Sequence, residues 1–368
     1  MDLFVGRPNI PGIDGFLEKA RNVLESRRLA NFGPMVKDFE CRLAGYLGVR
    51  HVITVCNATI GLMAVIKALG LTGEVILPSF TFIASAHVLQ WEGIKPVFCD
   101  IDPVTHNIDA AMAESLITDK TTAIMGVHIW GRPCVHDELL AVSRKHGIKL
   151  FYDAAHAFGT TYKTRPVAAL EDISVLSFHA TKCFNTFEGG AIVTNDDALA
   201  QKVRLICNFS FEGEDNVTGL GINAKMTEIN AVMGLCNLDE FQNVLDYNQK
   251  IYECYKEKLA VIDGVSIIGY PDEEKNNYHY IITEVDEKVF GCTRDEIHTY
   301  LKANGIIARR YFYPGCHKSK PYKELYPDVS LPHTEVLCAN VLALPGGSGI
   351  DNIEQIERIT GLLKDLMK

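Results

Sequence analysis

A lysine at position 182 lies on a short loop between two predicted strands. Apolar residues dominate positions 173–178 and 191–194 on either side of the loop, a pattern typical of buried strands. Most lysines are solvated surface charges, so Lys182 taken alone is either an ordinary surface amine or a nucleophile. A second feature, upstream of the loop, favours the nucleophile.

That second feature is an aspartate and a histidine that follow another apolar strand, predicted over residues 148–152. Asp153 stands at the carboxyl end of this strand, two alanines follow it, and His156 comes next. A carboxylate there, with small neighbours that let a large group approach, suits a ring nitrogen that must stay protonated. Pyridoxal phosphate (PLP) requires such a carboxylate together with a lysine that forms a Schiff base with its aldehyde. Asp153 and Lys182 therefore indicate one PLP site.

Other candidate cofactor contacts lie at neighbouring strand ends. Asn57, Ala58 and Thr59 form a turn that opens a helix, so their amides and the helix dipole could hold a phosphate, or the turn could be a plain helix cap. Phe82 is either a core residue or an aromatic that lies against a flat ring. His156 is either a satisfied interior imidazole or a donor near the phenolic oxygen of PLP, and its place just after the aspartate favours the donor.

The composition argues against several classes of partner. The chain has 368 residues, with 36 basic and 46 acidic side chains and a formal net charge of −10. Without a basic run, neither nucleic acid nor an anionic membrane is an expected partner. The 11 cysteines show no metal-ligand spacing, and no apolar run approaches the roughly 20 residues of a membrane helix. We therefore expect no bound metal, reduced thiols and a cytoplasmic location.

Alternating strands and helices from His51 onward must position these side chains. Continuous apolar strands separated by helices predict an α/β fold with a mostly parallel central sheet, covered on both faces. Two helices, predicted over 16–29 and 35–47, precede the sheet as a lead-in. Ligands of such sheets bind beyond the carboxyl ends of the strands, which is where the polar turns described above lie.

After Thr194 the apolar spacing is typical of helices, and further along the chain it becomes a mixture of strand and helix patterns. Strands are predicted over 278–285 and 306–311, with helices between and after them, which indicates a smaller α+β unit. We predict a large domain over residues 1–245 and a small C-terminal domain over residues 246–368.

Three motifs together resemble those of a known family. They are Asp-Ala-Ala-His at 153–156, Ser-Phe-His-Ala-Thr-Lys at 177–182 and Glu-Gly-Gly at 188–190. In this combination the chain resembles the DegT/DnrJ/EryC1/StrS family of nucleotide-sugar aminotransferases, and the likeness runs from Asn31 to Pro345. The resemblance implies the aspartate aminotransferase fold, called fold type I.

The resemblance also implies roles for individual residues. Asp153 is implied to pair with the ring nitrogen of PLP, while Lys182 holds the cofactor and carries the proton during transamination. Asn223 and Lys225 match positions that meet the cofactor phosphate of a neighbouring subunit, which implies a homodimer with shared active sites. Without the resemblance, these two residues could simply open a helix and expose a lysine. The implied cofactor-binding positions are Ala58, Thr59, Phe82, Asp153, His156, Ser177, Lys182, Asn223 and Lys225.

A C-terminal segment matches the part of the family that lies near the substrate entrance. Its arginines could bind a carboxylate or pyrophosphate, or they could form a solvated edge. The candidate substrate-binding residues are Arg309, Arg310, Tyr313 and His317.

The implied reaction is amino transfer to a sugar. L-Glutamate is the expected donor, pyridoxamine phosphate the intermediate form of the cofactor, and a nucleotide-linked keto-sugar the acceptor. We expect amination at C4 of a 4-keto-6-deoxy sugar, with dTDP-4-dehydro-6-deoxyglucose favoured, for O-antigen or another surface polysaccharide. Alternatives are a 3-keto sugar, a UDP- or GDP-linked sugar, or a PLP-dependent sugar dehydratase, which carries histidine where this chain has Lys182. A non-enzymatic regulatory homologue is least favoured, because it predicts a damaged site.

Overall fold

The computed structural model describes residues 2–270 and 274–367. The chain begins with a short strand and two helices that pack beside the main body. Val36, Phe39 and Leu43 are buried on one face of the second helix, as the apolar spacing predicts. A carboxylate oxygen of Glu228 accepts a hydrogen bond from the Met35 amide at 2.8 Å, which satisfies one free amide at the start of that helix. These elements are β1 (Leu3–Phe4), α1 (Ile13–Ser26) and α2 (Pro34–Leu47).

Alternating strands and helices follow, as predicted. They are β2 (His51–Val55), α3 (Ala58–Leu69), β3 (Glu74–Pro78), α4 (Ile83–Trp91), β4 (Lys95–Cys99), α5 (Ala110–Ser115), β5 (Thr121–Val127), α6 (His136–His146), β6 (Lys149–Asp153), β7 (Thr161–Tyr162), β8 (Arg165–Pro166), β9 (Ser174–Ser177), β10 (Gly190–Thr194) and α7 (Asp197–Ile206). Within the described residues, seven of these strands form one sheet in the order β2-β10-β9-β6-β5-β3-β4.

The sheet is mostly parallel, which confirms the predicted α/β class. Only β10 runs antiparallel to its neighbours, β2 and β9. The carboxyl ends of β2, β3, β6 and β9 therefore meet at one edge, and β10 starts there. This edge carries the turn before α3, the Phe82 turn, Asp153 and the Lys182 loop.

The remaining chain forms a long helix and a smaller unit. A three-stranded antiparallel sheet in the order β11-β12-β14 is its centre. Strand β1 crosses over to this unit and pairs in parallel with β13. The elements are α8 (Glu228–Leu259), β11 (Val265–Ile267), β12 (Ile281–Val285), α9 (Glu287–Phe290), α10 (Arg294–Ala303), β13 (Ile306–Ile307), α11 (Lys320–Leu325), α12 (Pro332–Asn340), β14 (Val341–Leu344) and α13 (Ile353–Leu366).

Helix α8 joins the two parts of the molecule. Leu245 belongs to the hydrophobic cluster under the large sheet, whereas Ile251 belongs to the cluster of the smaller unit. The domains predicted over 1–245 and 246–368 would thus divide inside one continuous helix, and this division stays a prediction. No helix in residues 2–270 or 274–367 is both long enough and apolar enough to cross a bilayer.

The strand predicted over 306–311 is wrong in its extent, because β13 ends at Ile307. Arg309 makes only an isolated bridge to Ala343, and the chain then turns, with the Tyr313 amide donating to the Arg310 carbonyl at 2.6 Å. The apolar side chain of Phe312 packs into a separate hydrophobic cluster instead of extending a ladder. The strand predicted over 278–285 likewise starts later, at Ile281.

Candidate active site

A cavity of about 660 Å³ opens at the carboxyl edge of the large sheet. It brings together side chains from four strand ends and from the C-terminal unit. The predicted site residues on its wall are Ala58, Thr59, Phe82, Asp153, His156, Ser177, Lys182 and Arg309.

Lys182 lies on the loop that joins β9 to β10, as predicted. The loop turns tightly here, since the Lys182 amide donates to the His179 carbonyl at 2.9 Å. Removal from bulk water lowers the pKa of Lys182 to about 8, although the negative charge of Asp153 opposes the shift. A minor fraction of this amine is therefore already neutral at neutral pH, and this neutral form can act as a nucleophile or base.

Asp153 ends β6 and is held by two donors. The Ala155 amide donates to one carboxylate oxygen at 3.0 Å, and the Ser85 hydroxyl donates to the other at 2.7 Å. Burial raises the pKa of Asp153, while these two hydrogen bonds and the nearby Lys182 amine act in the opposite direction. Sequence reasoning missed Ser85, because no pattern places the first turn of α4 beside the end of β6.

His156 is a neutral donor toward the cavity. Its Nδ1 accepts a hydrogen bond from the Trp130 amide at 3.2 Å, so the proton of the neutral ring sits on Nε2. Burial holds the pKa of His156 well below its usual value, and the positive charge of Lys182 adds to the effect. The ring stacks on Phe312 with centroids 5.7 Å apart and planes 10° apart. The Trp130 contact was also missed from sequence.

Free amide donors lie where β2 runs into α3. The Asn57 side chain caps the helix by accepting from the Ile60 amide at 2.9 Å. The amides of Ala58 and Thr59 find no acceptor among the described residues and belong to the first helical turn, where a phosphate binds well. The Ser177 hydroxyl lines the same cavity.

Glycine is required where β10 passes this turn. A Cβ added to Gly190 would lie 2.7 Å from the Leu176 carbonyl oxygen and 3.0 Å from the Ala58 nitrogen. Any side chain at this position would therefore push β10 away from the amides that open α3.

Phe82 presents an aromatic ring to the cavity. Its side chain is exposed, and its ring centroid lies 6.4 Å from that of Phe312 in an edge-on arrangement. The ring face is thus open to a flat ligand rather than covered by protein core.

A second cavity of about 460 Å³ adjoins the first, and the residues that line both are Thr81, Phe82, Arg309, Tyr311 and Phe312. Arg309 is exposed and makes no ion pair within the described chain, whereas Arg310 pairs with Asp295 at 3.0 Å.

Helix α10 adds further basic groups to this second cavity. His298 and Lys302 lie four residues apart on α10 and line the cavity, which sequence reasoning missed. Tyr313 also lines it, and the Arg310 guanidinium lies 4.7 Å from the centroid of the Tyr313 ring.

Three predicted site residues lie outside both cavities. His317 is buried, with Nδ1 2.7 Å from the Ser79 hydroxyl and Nε2 3.3 Å from a carboxylate oxygen of Glu335. Asn223 is exposed, and Lys225 donates to the side chain of Asn208 at 3.0 Å. Within one chain these residues do not reach the cavity, and their predicted roles stay predictions.

The side chains and amides on the cavity wall fit PLP. A partly neutral lysine suits its aldehyde, a carboxylate held by two donors suits its ring nitrogen, and free helix amides with a serine hydroxyl suit its phosphate. In the part of the chain that the structure describes, no group of three or more His, Cys, Asp or Glu side chains is arranged to hold a metal ion.

Comparison with known proteins also indicates a PLP-dependent enzyme. A model of the DegT/DnrJ/EryC1/StrS aminotransferase family matches residues 13–364. A dTDP-4-amino-4,6-dideoxy-D-glucose transaminase of Shigella dysenteriae is 39% identical over 345 residues, which cover 93% of each chain. A protein of the same name from Escherichia coli is 34% identical over 363 residues, or 98% of this chain and 97% of that one. The crystal structure of DesI in the presence of its TDP-sugar product has a TM-score of 0.95 and 46% identity, covering 99% of this chain and 92% of DesI.

Proposed function

Because this chain belongs to the DegT/DnrJ/EryC1/StrS aminotransferase family, we propose that it transfers the amino group of L-glutamate to C4 of a dTDP-linked 4-keto-6-deoxy sugar. The chain is a PLP-dependent aminotransferase of fold type I, as predicted. The observation that carries the choice of substrate is the 46% identity, across 99% of the chain, with DesI in the presence of its TDP-sugar product. The two transaminase relatives, whose names state a dTDP-linked 4-amino sugar, support the same choice.

In this proposal Lys182 is the residue that moves protons. When bound, PLP supplies an aldehyde that holds the amino group and a ring that accepts electrons. With its pKa lowered to about 8, the Lys182 Nζ can take the α-proton of glutamate and later deliver a proton to C4 of the sugar. Asp153 keeps the ring nitrogen protonated, and His156 directs its Nε2 proton at the phenolic oxygen.

The cofactor phosphate is proposed to bind where α3 begins. The unpartnered amides of Ala58 and Thr59 and the Ser177 hydroxyl supply the donors, and the positive end of the α3 dipole adds to the attraction. Phe82 covers one face of the cofactor ring.

The second cavity is proposed to receive the nucleotide part of the substrate. Arg309, Arg310 and Lys302 line its wall in a chain whose net charge is −10, and of the three Arg310 is already paired with Asp295. Such a local concentration of donors suits a diphosphate. Tyr313 adds an aromatic face nearby. Arg309 lines both cavities, so it lies where the sugar meets the diphosphate.

A substrate panel tests the proposal. Purified enzyme with PLP and L-glutamate is given 4-keto-6-deoxy sugars linked to dTDP, UDP or GDP, together with a 3-keto isomer, and the products are analysed by NMR and mass spectrometry. We expect glutamate-dependent formation of a 4-amino sugar with the dTDP substrate at the highest kcat/KM. A 3-amino product, a preference for UDP or GDP, or loss of water without nitrogen gain would each replace the proposal with the corresponding alternative.

The regulatory alternative has its own test. An aminotransferase binds PLP as a yellow chromophore, and L-glutamate converts this form to a colourless one. A purified protein that neither binds added PLP nor changes absorbance with glutamate would be a non-enzymatic homologue.

We also propose that the enzyme is a cytoplasmic homodimer that makes an amino sugar for O-antigen or another surface polysaccharide. Support for the dimer comes from the loop before Asn223 and Lys225, which exposes an unusual number of apolar side chains. The exposed apolar residues of this loop are Phe209, Phe211, Val217 and Leu220. A partner subunit that covers this loop would bring Asn223 and Lys225 to its own cofactor phosphate.

A further inference from the structure

We propose that Ser85 is a positioning residue that holds the Asp153 carboxylate through a directed hydrogen bond, and that Thr81 in turn sets the direction of the Ser85 hydroxyl. This inference rests on the proposed contact between Asp153 and the ring nitrogen of PLP. It assigns a role in the reaction to Ser85, which lines neither cavity, and to Thr81, which lies at the wall of both.

The direction of the hydrogen bonds follows from their chemistry. The Ser85 oxygen lies 2.7 Å from one carboxylate oxygen of Asp153 and 3.0 Å from the Thr81 hydroxyl oxygen. An ionised carboxylate only accepts hydrogen bonds, so Ser85 must donate its single proton to Asp153. Thr81 must then donate to Ser85. The result is a chain of two bonds that ends on Asp153.

Burial strengthens these two hydrogen bonds and restricts the groups that make them. Ser85 has no solvent exposure, Thr81 is 3% exposed and Asp153 is 6% exposed, so water does not compete for these groups. A hydrogen bond to a charged group in such surroundings contributes more than one on the surface.

The segment that carries Thr81 and Ser85 also carries Phe82. Ser85 lies in the first turn of α4, and its amide donates to the Phe82 carbonyl at 3.1 Å. The same turn therefore directs the Phe82 ring into the cavity and the Ser85 hydroxyl toward β6. A change in this turn would disturb both the face of the cofactor ring and the acid at its nitrogen.

Each oxygen of Asp153 has one protein donor, Ser85 or the Ala155 amide. The two donors fix the rotation of the carboxylate and favour its ionised form against the effect of burial. Without Ser85, one oxygen would be a buried acceptor with no donor, and Asp153 would take up a proton more readily. A neutral acid is a weaker partner for a protonated ring nitrogen.

Ser85→Ala tests the proposal, with Ser174→Ala as its matched control. Ser174, at the start of β9, is also fully buried, but its hydroxyl has no hydrogen-bond partner in the described chain. We expect Ser85→Ala to lower the rate constant of the glutamate half-reaction and to raise the Kd of the apoprotein for PLP, each by roughly 10- to 100-fold. The KM for glutamate should stay within about twofold, because Ser85 does not touch this substrate. Ser174→Ala should leave all three quantities unchanged.

Two further variants distinguish loss of the hydrogen bond from a general packing defect. Ser85→Cys is similar in shape and only slightly larger, and it supplies only a weak donor, so its rate constant should fall between those of Ser85 and Ser85→Ala. Thr81→Val keeps the shape of Thr81 and removes its hydroxyl, so it should lower the rate constant by a smaller factor, roughly 2- to 10-fold. If Ser85→Ala does not fold, these two variants decide the question.

The outcomes separate this inference from the proposed function. Wild-type rate constants and PLP affinity in folded Ser85→Cys and Thr81→Val, with an inactive Asp153→Ala, would overturn the positioning role alone. Full transaminase activity in Asp153→Ala would overturn the proposed contact between Asp153 and the ring nitrogen, and the inference with it. Absence of glutamate-dependent amino transfer in the wild-type protein would overturn the proposed function instead. Equal losses in Ser85→Ala and Ser174→Ala would show that packing, not the hydrogen bond, matters.

Discussion

Lys182 carries a reactive amine because the cavity wall withdraws it from water. The negative charge of Asp153 opposes the shift but does not reverse it, so the pKa of Lys182 is lowered to about 8. The two residues thus balance each other: burial lowers the pKa of the amine and raises the pKa of the acid, and the charge of each group opposes the shift of the other. This balance is the chemical basis of the proposed proton transfer.

Lys182→Ala should remove transaminase activity. Without an amine at this position neither half-reaction has its base, and we expect kcat to fall by roughly 10²- to 10⁴-fold or more. The measurement is single-turnover conversion of glutamate by the PLP-loaded variant. Lys149→Ala, at the exposed start of β6, is the control and should keep full activity. An active Lys182→Ala variant would mean that another group moves the proton.

Attachment of PLP to the apoprotein should depend on pH with a midpoint near 8. Only the neutral amine attacks the aldehyde, and the pKa of Lys182 is lowered to about 8. Attachment should therefore be slow below the midpoint and should reach its maximum above it, as followed by visible absorbance. In Asp153→Asn the negative charge that raises this pKa is gone, so the midpoint should move to lower pH. A midpoint near 10 would contradict the pKa shift.

At the scale of elements, the N-terminal segment holds the Lys182 loop from outside. The Asn9 side chain donates to the Cys183 carbonyl at 2.7 Å, and the Asn185 side chain donates to the Asn9 carbonyl at 2.9 Å. Gly6 approaches so closely that an added Cβ would lie 3.0 Å from the Thr181 Cβ. Residues from the start of the chain therefore help to place a lysine that lies far along the sequence.

Asn9→Ala should loosen this loop. Loss of the hydrogen bond to Cys183 should lower the free energy of unfolding of the apoprotein by about 1 kcal/mol and speed the release of PLP. Urea denaturation and dialysis against PLP-free buffer measure the two effects. Asn22→Ala, on the exposed face of α1, should change neither. Unchanged stability and PLP release in Asn9→Ala would show that the segment does not hold the loop.

Element prediction succeeded where the apolar pattern was local and failed where a distant partner decided the structure. The helix α2 and the strand β6 lie within one residue of their predicted bounds. Strand β13 was predicted too long, because its length depends on pairing with β1, some 300 residues earlier. Strand β14 was not predicted at all, since its short apolar run has no strand pattern of its own.

At the scale of the whole molecule, the proposed dimer predicts that two inactive variants restore each other. Lys182→Ala lacks the amine, and Lys225→Ala lacks the proposed contact to the partner's phosphate. A mixed dimer has one site with both groups intact. Random 1:1 pairing should therefore recover about one quarter of wild-type activity, since half of the dimers are mixed and each has one complete site.

The mixing experiment has a clear control. Co-expressed, differently tagged subunits are purified through both tags, which isolates the mixed dimers and raises the expected activity to about one half of wild type. These dimers are compared with each variant alone and with a Lys182→Ala, Lys225→Ala double variant mixed with itself. Recovery only in the mixed dimer supports shared sites. A fully active Lys225→Ala variant alone would show that no partner lysine is needed.

The sequence by itself determined the cofactor chemistry and the fold class. Asp153 and Lys182 each lie next to a short apolar strand, and local hydrophobic patterns predict the order of strands and helices. These features depend on neighbours in the chain, so they can be predicted without coordinates. The motif around Lys182 also identified the family, which the match over residues 13–364 confirms.

Only the tertiary structure decided how these groups are tuned. Ser85 reaches Asp153 across 68 residues, and Trp130 sets the tautomer of His156 across 26. The same is true of His298 and Lys302, whose helix meets Arg309 only in the folded chain. Such contacts depend on how separate elements pack, and the pKa of Lys182 depends on the water that packing excludes. Neither these contacts nor the pKa of Lys182 can be predicted from any one stretch of sequence.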